Sequence, residues 1–155
     1  MNARTFVDTS VLVYAHDIDA GEKHRIAADR LAELWETRTG VISTQVLQEF
    51  YVTVTRKLPT PLARGAARSI LVNYSVWQVE TPRAETVISA SGIEERYQVS
   101  FSDALIIAAA AQGRAELLLT EDMNAGQTIE GVRIVNPFGT ALRPSQYRET
   151  QHHQG

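Results

Sequence analysis

The sequence TFVDTSVLVYA, residues 5–15, decides how the chain is organised. Its apolar start predicts a short strand over Thr5 to Asp8, and Ser10 to Ala15 predicts a helical turn directly after it. Asp8 therefore lies where a strand passes into a helix. In a parallel sheet, ligands bind outside the carboxyl ends of the strands, at junctions of this kind. Asp is also common in ordinary turns, so Asp8 by itself is only a candidate for a functional residue.

Strands and helices alternate through the rest of the chain. The predicted strands occupy residues 5–8, 41–43, 76–79, 117–120 and 132–135. The longer predicted helices occupy residues 25–38, 44–57, 62–73, 82–97 and 103–112. Thr44 and Ser102 are expected as helix N-caps, and Gly40 as a C-cap glycine. This alternation implies βαβ units and a mainly parallel sheet with helices on both faces, so we predict an α/β fold.

Size and composition narrow the classes of protein that the chain can represent. With 155 residues it is long enough for one domain, which we expect at 1–138, followed by a flexible polar tail at 139–155. The formal net charge of −3 gives no sign of a global basic surface, and the absence of cysteine excludes disulfides and thiolate catalysis. No signal peptide or membrane span is visible, so we expect a cytoplasmic protein without a membrane partner.

Three further acids lie near comparable strand-to-helix junctions. Glu49 lies in STQVLQEF, Asp103 in SFSDALIIAAA and Asp122 in LLLTEDMNAG. Each has a simpler explanation, because Glu49 fits a surface position, Asp103 stabilises the first turn of a helix, and Asp122 fits a solvated turn. Glu121 directly precedes Asp122, and the sequence leaves open which of the two faces a site. What distinguishes these acids is that, with Asp8, all four fall at the same predicted edge of the sheet.

A cluster of four carboxylates at one edge has electrostatic consequences. Two unit charges about 4 Å apart repel each other by about 1 kcal/mol in water and about 4 kcal/mol at an effective dielectric constant of 20. Such a cluster needs a cation, or else some of its pKa values must rise. Ligands that are all oxygen atoms favour Mg²⁺ or Mn²⁺ over zinc. The pattern therefore points to metal-assisted chemistry on phosphodiesters.

The motifs FVDTSVLVYAHD, QEFYVTVTRK, SFSDALIIAAA and LLLTEDMNAG, in this order and at this chain length, resemble a PIN domain. That family includes the VapC-like toxin ribonucleases. The resemblance runs from Phe6 to Phe138. It implies a three-layer α/β/α domain around a central, mainly parallel five-stranded sheet, and a Mg²⁺- or Mn²⁺-dependent endoribonuclease that hydrolyses RNA.

The resemblance also assigns roles to particular residues and partners. The family's metal-binding and catalytic acids correspond to Asp8, Glu49, Asp103 and Asp122. The hydroxyl groups of Ser10 and Thr120 match positions that support the site. Members of the family commonly form homodimers, and the toxin-like ones pair with a small antitoxin, so RNA, a second copy of the chain and an antitoxin are the expected partners.

An acidic site needs help in attracting an anionic substrate. From Phe50 through Val79 the chain has no Asp or Glu but four basic residues, which give this segment a local charge of +4. These residues are Arg56, Lys57, Arg64 and Arg68. They could follow an RNA backbone or form an ordinary solvated helix face, and the sequence leaves both open. Trp35 and Trp77 are predicted to be core residues, because their neighbours are apolar.

Two alternatives remain at the level of sequence. A non-catalytic PIN-scaffold module that binds RNA or protein would keep the fold without the activity. Phosphoryl transfer through an aspartyl-phosphate would use Asp8 as the nucleophile, but the dehalogenase-like pattern requires a second acid where this chain has Ser10. A receiver domain requires a lysine near its end, and no lysine follows Lys57.

Overall fold

The protein folds around one six-stranded sheet, and the structure, a computed structural model, describes residues 3–139. The tail expected at 139–155 lies outside the described residues except for Gly139. The strands are β1 Thr5–Val7, β2 Gly40–Ser43, β3 Gln78–Glu80, β4 Leu117–Leu119, β5 Thr128–Ile129 and β6 Val132–Val135. The helices are α1 Thr9–His16, α2 Glu22–Thr37, α3 Thr44–Arg56, α4 Arg64–Tyr74, α5 Ala84–Tyr97 and α6 Phe101–Gln112, with a short 3₁₀ helix at Ile18–Ala20.

The sheet is mainly parallel, as predicted. The strand order is β3-β2-β1-β4-β6-β5, and every pair except the last is parallel. All residues of β1 and β2 are buried, as expected for strands that helices cover on both sides. In this order β1 lies between β2 and β4, so the ends of these three strands lie side by side. The α/β fold class is therefore confirmed.

The number of strands differs from the five that were expected. The sixth, β5, has only two residues and pairs antiparallel with β6. Glu130 and Gly131 join the two strands, and both have positive φ angles, of 51° and 79°. Positive φ at both loop residues is the geometry of a two-residue hairpin turn whose twist matches that of the strands. A two-residue strand has no detectable alternation of apolar residues, which explains why the sequence did not predict it.

Strands pass into helices without a loop at two places that matter for the site. Asp8 and Ser43 are in extended conformation and cap α1 and α3, so each closes a strand and opens a helix. The Ser43 Oγ accepts a hydrogen bond from the Val46 N–H at 3.3 Å, so Ser43 and not Thr44 is the N-cap. A capping residue has β-region dihedral angles, and the last residue of a strand already provides them.

Two other predicted caps are each wrong by two residues. Ser100 and not Ser102 caps α6, because its Oγ accepts from the Asp103 N–H at 3.1 Å. Arg38 and not Gly40 is the C-cap of α2, with a left-handed φ of 59°, and Gly40 instead begins β2. Gly40 is needed for packing, because a Cβ atom there would lie 2.5 Å from Cζ3 of Trp77.

The hydrophobic core lies on both sides of β1, β2 and β4 and includes the apolar side of α6. Trp77 packs against this core but is only partly buried, and Trp35 is 37% exposed. The prediction that both tryptophans are core residues is therefore wrong for Trp35 and only partly right for Trp77. Trp35 lies in the last turn of α2, near the amino ends of β1, β2 and β3. Within residues 3–139, no helix is long and apolar enough to cross a membrane.

Candidate functional site

Asp8 is fixed at the junction between β1 and α1. Its Oδ1 accepts a hydrogen bond from the Thr9 N–H at 2.7 Å, which caps the helix, and its Oδ2 accepts from the Thr120 hydroxyl at 2.8 Å. The Asp8 N–H donates to the backbone oxygen of Leu119 at 3.0 Å, which extends the pairing of β1 with β4 by one residue. With only 6% of its surface exposed, this carboxylate is buried where two adjacent strands end.

Glu49 reaches the same place from α3. Its Oε1 accepts a hydrogen bond from the Thr9 hydroxyl at 2.8 Å, so the residue next to Asp8 connects the two acids. Burial raises the pKa of Glu49, and the charge of Asp103 raises it further; hydrogen bonds from Thr9 and Gln45 and the charge of Lys57 oppose this rise. Glu49 is half-buried, so the sequence expectation of a surface position on the helix flank is only partly right.

Asp103 enters the site from the first turn of α6. It is 6% exposed, and its N–H is capped by the Ser100 hydroxyl. The position is the one that the helix-stabilising explanation requires. Burial distinguishes it from a surface cap, because an acid that served only the helix end could remain in water. Asp103 therefore serves the helix start and also lies close enough to Asp8 and Glu49 to shift their pKa values.

Glu121 and Asp122 are adjacent in the turn after β4 but interact with different residues. The Asp122 N–H donates to the Thr120 hydroxyl oxygen at 3.1 Å, and the same hydroxyl donates to Asp8. Glu121 is bound elsewhere, because its Oε2 lies 2.6 Å from Nζ of Lys23, with side-chain exposures of 1% and 12%. Asp122 therefore lies beside Asp8, and Glu121 belongs to an ion pair with α2.

The four acids act on one another electrostatically, and we call Asp8, Glu49, Asp103 and Asp122 the acidic cluster. The pKa of Asp8 is raised from 3.8 to about 8. Burial is the largest cause, followed by the charges of Asp122, Asp103 and Glu49, and the hydrogen bond from Thr120 partly opposes them. Strongly shifted carboxyl groups of this kind occur mostly at functional sites.

A comparison with known families identifies the domain. The profile described as the PIN domain matches residues 5–128, which include all of the acidic cluster. The chain belongs to the PIN domain family. This confirms the resemblance that the four sequence motifs indicated.

Solved structures with the same fold include three from bacterial toxin–antitoxin systems. VapC20 of Mycobacterium tuberculosis, a toxin that cleaves the sarcin–ricin loop, has a TM-score of 0.57 and 24% identity, and covers 74% of this chain and 86% of its own. A toxin–antitoxin complex from Klebsiella pneumoniae has a TM-score of 0.63 and 22% identity, and covers 86% of this chain and 97% of its own. VapBC2 from Rickettsia felis, bound to a DNA fragment of its promoter, has a TM-score of 0.61 and 18% identity, and covers 85% of this chain and 97% of its own. At these identities the similarity concerns the fold alone, and no curated protein sequence matches the chain.

The donor atoms of this PIN domain suit a hard divalent cation. The cluster offers only carboxylate oxygens. The hydroxyl of Ser10, two residues after Asp8, is 3% exposed and forms no hydrogen bond with any described residue. A buried hydroxyl without a partner is costly unless water or a ligand occupies the space near it. Within residues 3–139, however, no three His, Asp or Glu side chains are close enough to hold one metal ion. The acids would therefore have to draw together around a bound ion.

The four basic residues of the segment 50–79 lie on the surface. Arg56 and Lys57 end α3, and Arg64 and Arg68 lie on the exposed side of α4. The charge of Lys57 opposes the rise in the pKa of Glu49, so this end of α3 acts electrostatically on the acidic cluster. No carboxylate among residues 3–139 forms an ion pair with Arg56, Arg64 or Arg68. Their charges are therefore available to an anion.

Sequence reasoning missed two residues that shape the site. Thr9 connects Glu49 to the Asp8 junction, and its place inside the Asp-Thr-Ser motif was a signal that could have been used. Lys23 binds Glu121 from a position 98 residues away in the chain. No local pattern reveals such a partner, so only the three-dimensional structure could show which of the two adjacent acids joins the cluster.

Proposed function

We propose that this PIN domain is a metal-dependent endoribonuclease. The observation that supports this most strongly is the environment of Asp8, a buried carboxyl group whose pKa is raised to about 8 by burial and by three neighbouring acids. A protein gains nothing in stability from gathering four acids at one edge of a sheet. The arrangement is favourable when a divalent cation binds and when the charged form is needed for chemistry.

In this proposal the acidic cluster holds Mg²⁺ or Mn²⁺. A divalent cation supplies a bound water of lowered pKa and neutralises charge on a phosphodiester. Asp8 and Asp103 are the most buried of the proposed ligands, and Glu49 and Asp122 complete the set. Thr120 positions Asp8 and Asp122 through its hydroxyl, and Thr9 positions Glu49. The Ser10 hydroxyl is available as a further donor or acceptor for water.

The substrate that we propose is RNA, with its backbone crossing the basic residues at the end of α3 and on α4. Arg64 and Arg68 lie one helical turn apart, which gives two exposed guanidinium groups on one side of α4. The charge of Lys57, directly after α3, acts on Glu49 in the acidic cluster. Phosphate contacts from such residues supply affinity without sequence preference.

We further propose a toxin role with a small antitoxin as partner, and a homodimer in solution. The toxin–antitoxin complexes among the similar structures support the first of these proposals. Two neighbouring exposed apolar residues near the start of α5 support the second. These residues are Val87 and Ile88, which are 44% and 70% exposed. Apolar side chains that are exposed side by side are typical of protein interfaces.

The decisive experiment is thermal melting of the wild type and of Asp8→Asn, each with and without millimolar Mg²⁺ or Mn²⁺. An ion that binds to the native state but not to the unfolded state raises the melting temperature. We expect a rise in the wild type that disappears in Asp8→Asn, and we expect single-stranded RNA to be cleaved by the wild type with metal but not by Asp8→Asn. Asp29→Asn is the matched control, because Asp29 is an exposed acid on α2 and its loss should change neither result.

A non-catalytic scaffold is the second candidate, and one observation favours it. The acids of the described residues do not form a closed metal site. If neither ion shifts the melting temperature of the wild type and RNA is bound but not cleaved, the domain is a binding module and the nuclease proposal is wrong.

A further inference from the structure

A cavity of about 520 Å³ lies at the edge of the sheet opposite the acidic cluster. Arg4 precedes β1, Gly40 begins β2 and Gln78 begins β3, and all three line it. Because these strands are parallel, the cavity is at their amino ends and the acidic cluster at their carboxyl ends. Its volume lies within the roughly 300–1,000 Å³ that is typical of small-molecule sites. The nuclease chemistry proposed above makes no use of it.

The wall of the cavity is aromatic and held in place. Trp35 and Trp77 line it, with ring centroids 5.2 Å apart and ring planes at 64°. Tyr74 packs against both, at 5.3 Å from Trp35 and 4.9 Å from Trp77. The Tyr74 hydroxyl also lies 2.9 Å from Nε2 of His16. These contacts fix the indole rings, although Trp35 remains 37% exposed, so an aromatic surface is presented to solvent in a defined orientation.

Gly40 makes room for this wall. A Cβ atom at position 40 would lie within 2.5–2.7 Å of three carbon atoms of the Trp77 ring. The indole ring therefore lies directly against the backbone at the start of β2. Because the Trp77 ring is packed between this backbone and Tyr74, the floor of the cavity is preformed. The protein would therefore lose little conformational entropy when a planar ligand binds.

The charges that line the cavity are positive. Arg4 and Arg38 are both exposed lining residues, and no carboxylate is among the lining residues. Neither arginine forms an ion pair with a carboxylate in the described part of the chain. Arg4 donates to the backbone oxygen of Gly113 at 3.4 Å, which uses one of its five N–H donors. Two guanidinium groups beside indole rings match a ligand with an anionic group and a planar ring.

A second cavity of about 490 Å³ shares Trp35 and Val76 with the first but is lined by no arginine or lysine. An anionic ligand would therefore bind in the first cavity. Among biological anions with a planar ring, nucleotides fit best, because bases of every type stack on aromatic side chains and arginine binds phosphate through paired hydrogen bonds. We propose that the cavity binds a nucleotide, with its base against Trp35 and Trp77 and its phosphate at Arg4 and Arg38.

The test uses the intrinsic fluorescence of the protein. The chain has two tryptophans, and both line the cavity, so their emission reports directly on its occupancy. Adenosine 5′-monophosphate is titrated into the full-length protein in the presence of EDTA, which keeps metal from the acidic cluster. We expect saturable quenching, and affinities lower by about tenfold or more for adenosine, which lacks the phosphate, and for ribose 5-phosphate, which lacks the base.

Two arginine variants make a matched pair. Arg38→Asn removes a charge from the cavity, and Arg114→Asn removes the same charge from an exposed residue that does not line it. Both residues have a φ of 59°, a left-handed conformation that Asn tolerates, so the substitutions should strain the backbone equally little. We expect nucleotide affinity to fall about tenfold in Arg38→Asn and to stay unchanged in Arg114→Asn. Asp8→Asn should bind the nucleotide like the wild type, which separates this proposal from the nuclease.

The nucleotide could be free or part of an RNA strand, and an unphosphorylated oligoadenylate distinguishes the two. Tighter binding of the oligonucleotide than of the monophosphate would assign the cavity to a strand, and equal or weaker binding would assign it to a free nucleotide. The proposal is wrong if millimolar monophosphate gives no saturable quenching, or if both arginine variants lose affinity equally. It is also wrong if emission without ligand changes on dilution and the monophosphate has no effect, because a second copy of the chain then covers the rings.

Discussion

At the scale of single residues, Asp8 makes the stability of the metal-free protein depend on pH. Its ordinary pKa of 3.8 applies to the unfolded chain, and its pKa in the fold is about 8. The folded state therefore binds the proton more tightly than the unfolded state does. The stability that this contributes is complete below about pH 4 and is lost as the pH rises through 8.

We therefore expect the free energy of unfolding of the metal-free wild type to fall between pH 4 and 8, by up to about 1.4 kcal/mol per pH unit from this one group. Asp8→Asn should remove most of that slope and should be the more stable protein at pH 8. Urea denaturation in EDTA at several pH values measures both. Parallel stability curves for the two proteins would show that Asp8 titrates normally in the fold.

Glu121 and Asp122 are adjacent acids with different predicted roles. Glu121→Gln breaks the ion pair with Lys23, whose side chains are 1% and 12% exposed, and should cost on the order of 3 kcal/mol of stability. Asp122→Asn should leave stability nearly unchanged and abolish RNA cleavage. Replacing both members of the pair, as in Lys23→Met with Glu121→Leu, should recover part of the loss. Denaturation and cleavage assays on the three variants test this, and an inactive but stable Glu121→Gln would reverse the assignment.

At the scale of elements, the sequence predicted the strand and helix types well where a local pattern carries the information. The apolar run before Asp8 and the apolar helix α6 are examples, and the α/β class followed from their alternation. The predictions of helix ends were less accurate. Ser100 and Ser102 are equally good caps on local grounds, and only the folded structure shows that Ser100 caps α6. The exposure of Trp35 was missed because helical periodicity shows which side of a helix is apolar but not where the core ends.

The contact between β2 and Trp77 gives a prediction at this scale. Gly40→Ala would place a methyl group 2.5 Å from the Trp77 ring, so the ring or the strand must move, at a cost of about 1–3 kcal/mol. Gly92→Ala is the matched control, because Gly92 lies inside α5 with no atom within 4 Å of the added group. It should stabilise the protein by about 0.5–1 kcal/mol through helix propensity. Thermal melts of both variants measure the difference, and equal effects would show that the Trp77 contact is not rigid.

At the scale of the whole molecule, charge is distributed unevenly. The formal net charge is −3, yet residues 50–79 carry four basic residues and no acidic one. An anionic substrate is therefore repelled by the molecule as a whole and attracted by one side of it. The sequence showed this segment but not whether its charges were neutralised by neighbours, because ion pairs depend on residues that are distant in the chain. In the fold, Arg64 and Arg68 remain exposed.

The double variant Arg64→Ala with Arg68→Ala tests whether this side of the molecule binds RNA. Each phosphate contact on a single strand contributes about 0.7 to the slope of log affinity against log salt concentration, so losing two should lower that slope by about 1.4. Arg96→Ala with Arg133→Ala is the control, because both arginines are exposed and either double variant changes the formal net charge from −3 to −5. KM for RNA cleavage, measured from low to high salt, should rise and lose salt dependence only in the first variant. Equal changes in both would mean that RNA responds to net charge and not to this helix, and the substrate would have to approach the acidic cluster from another side.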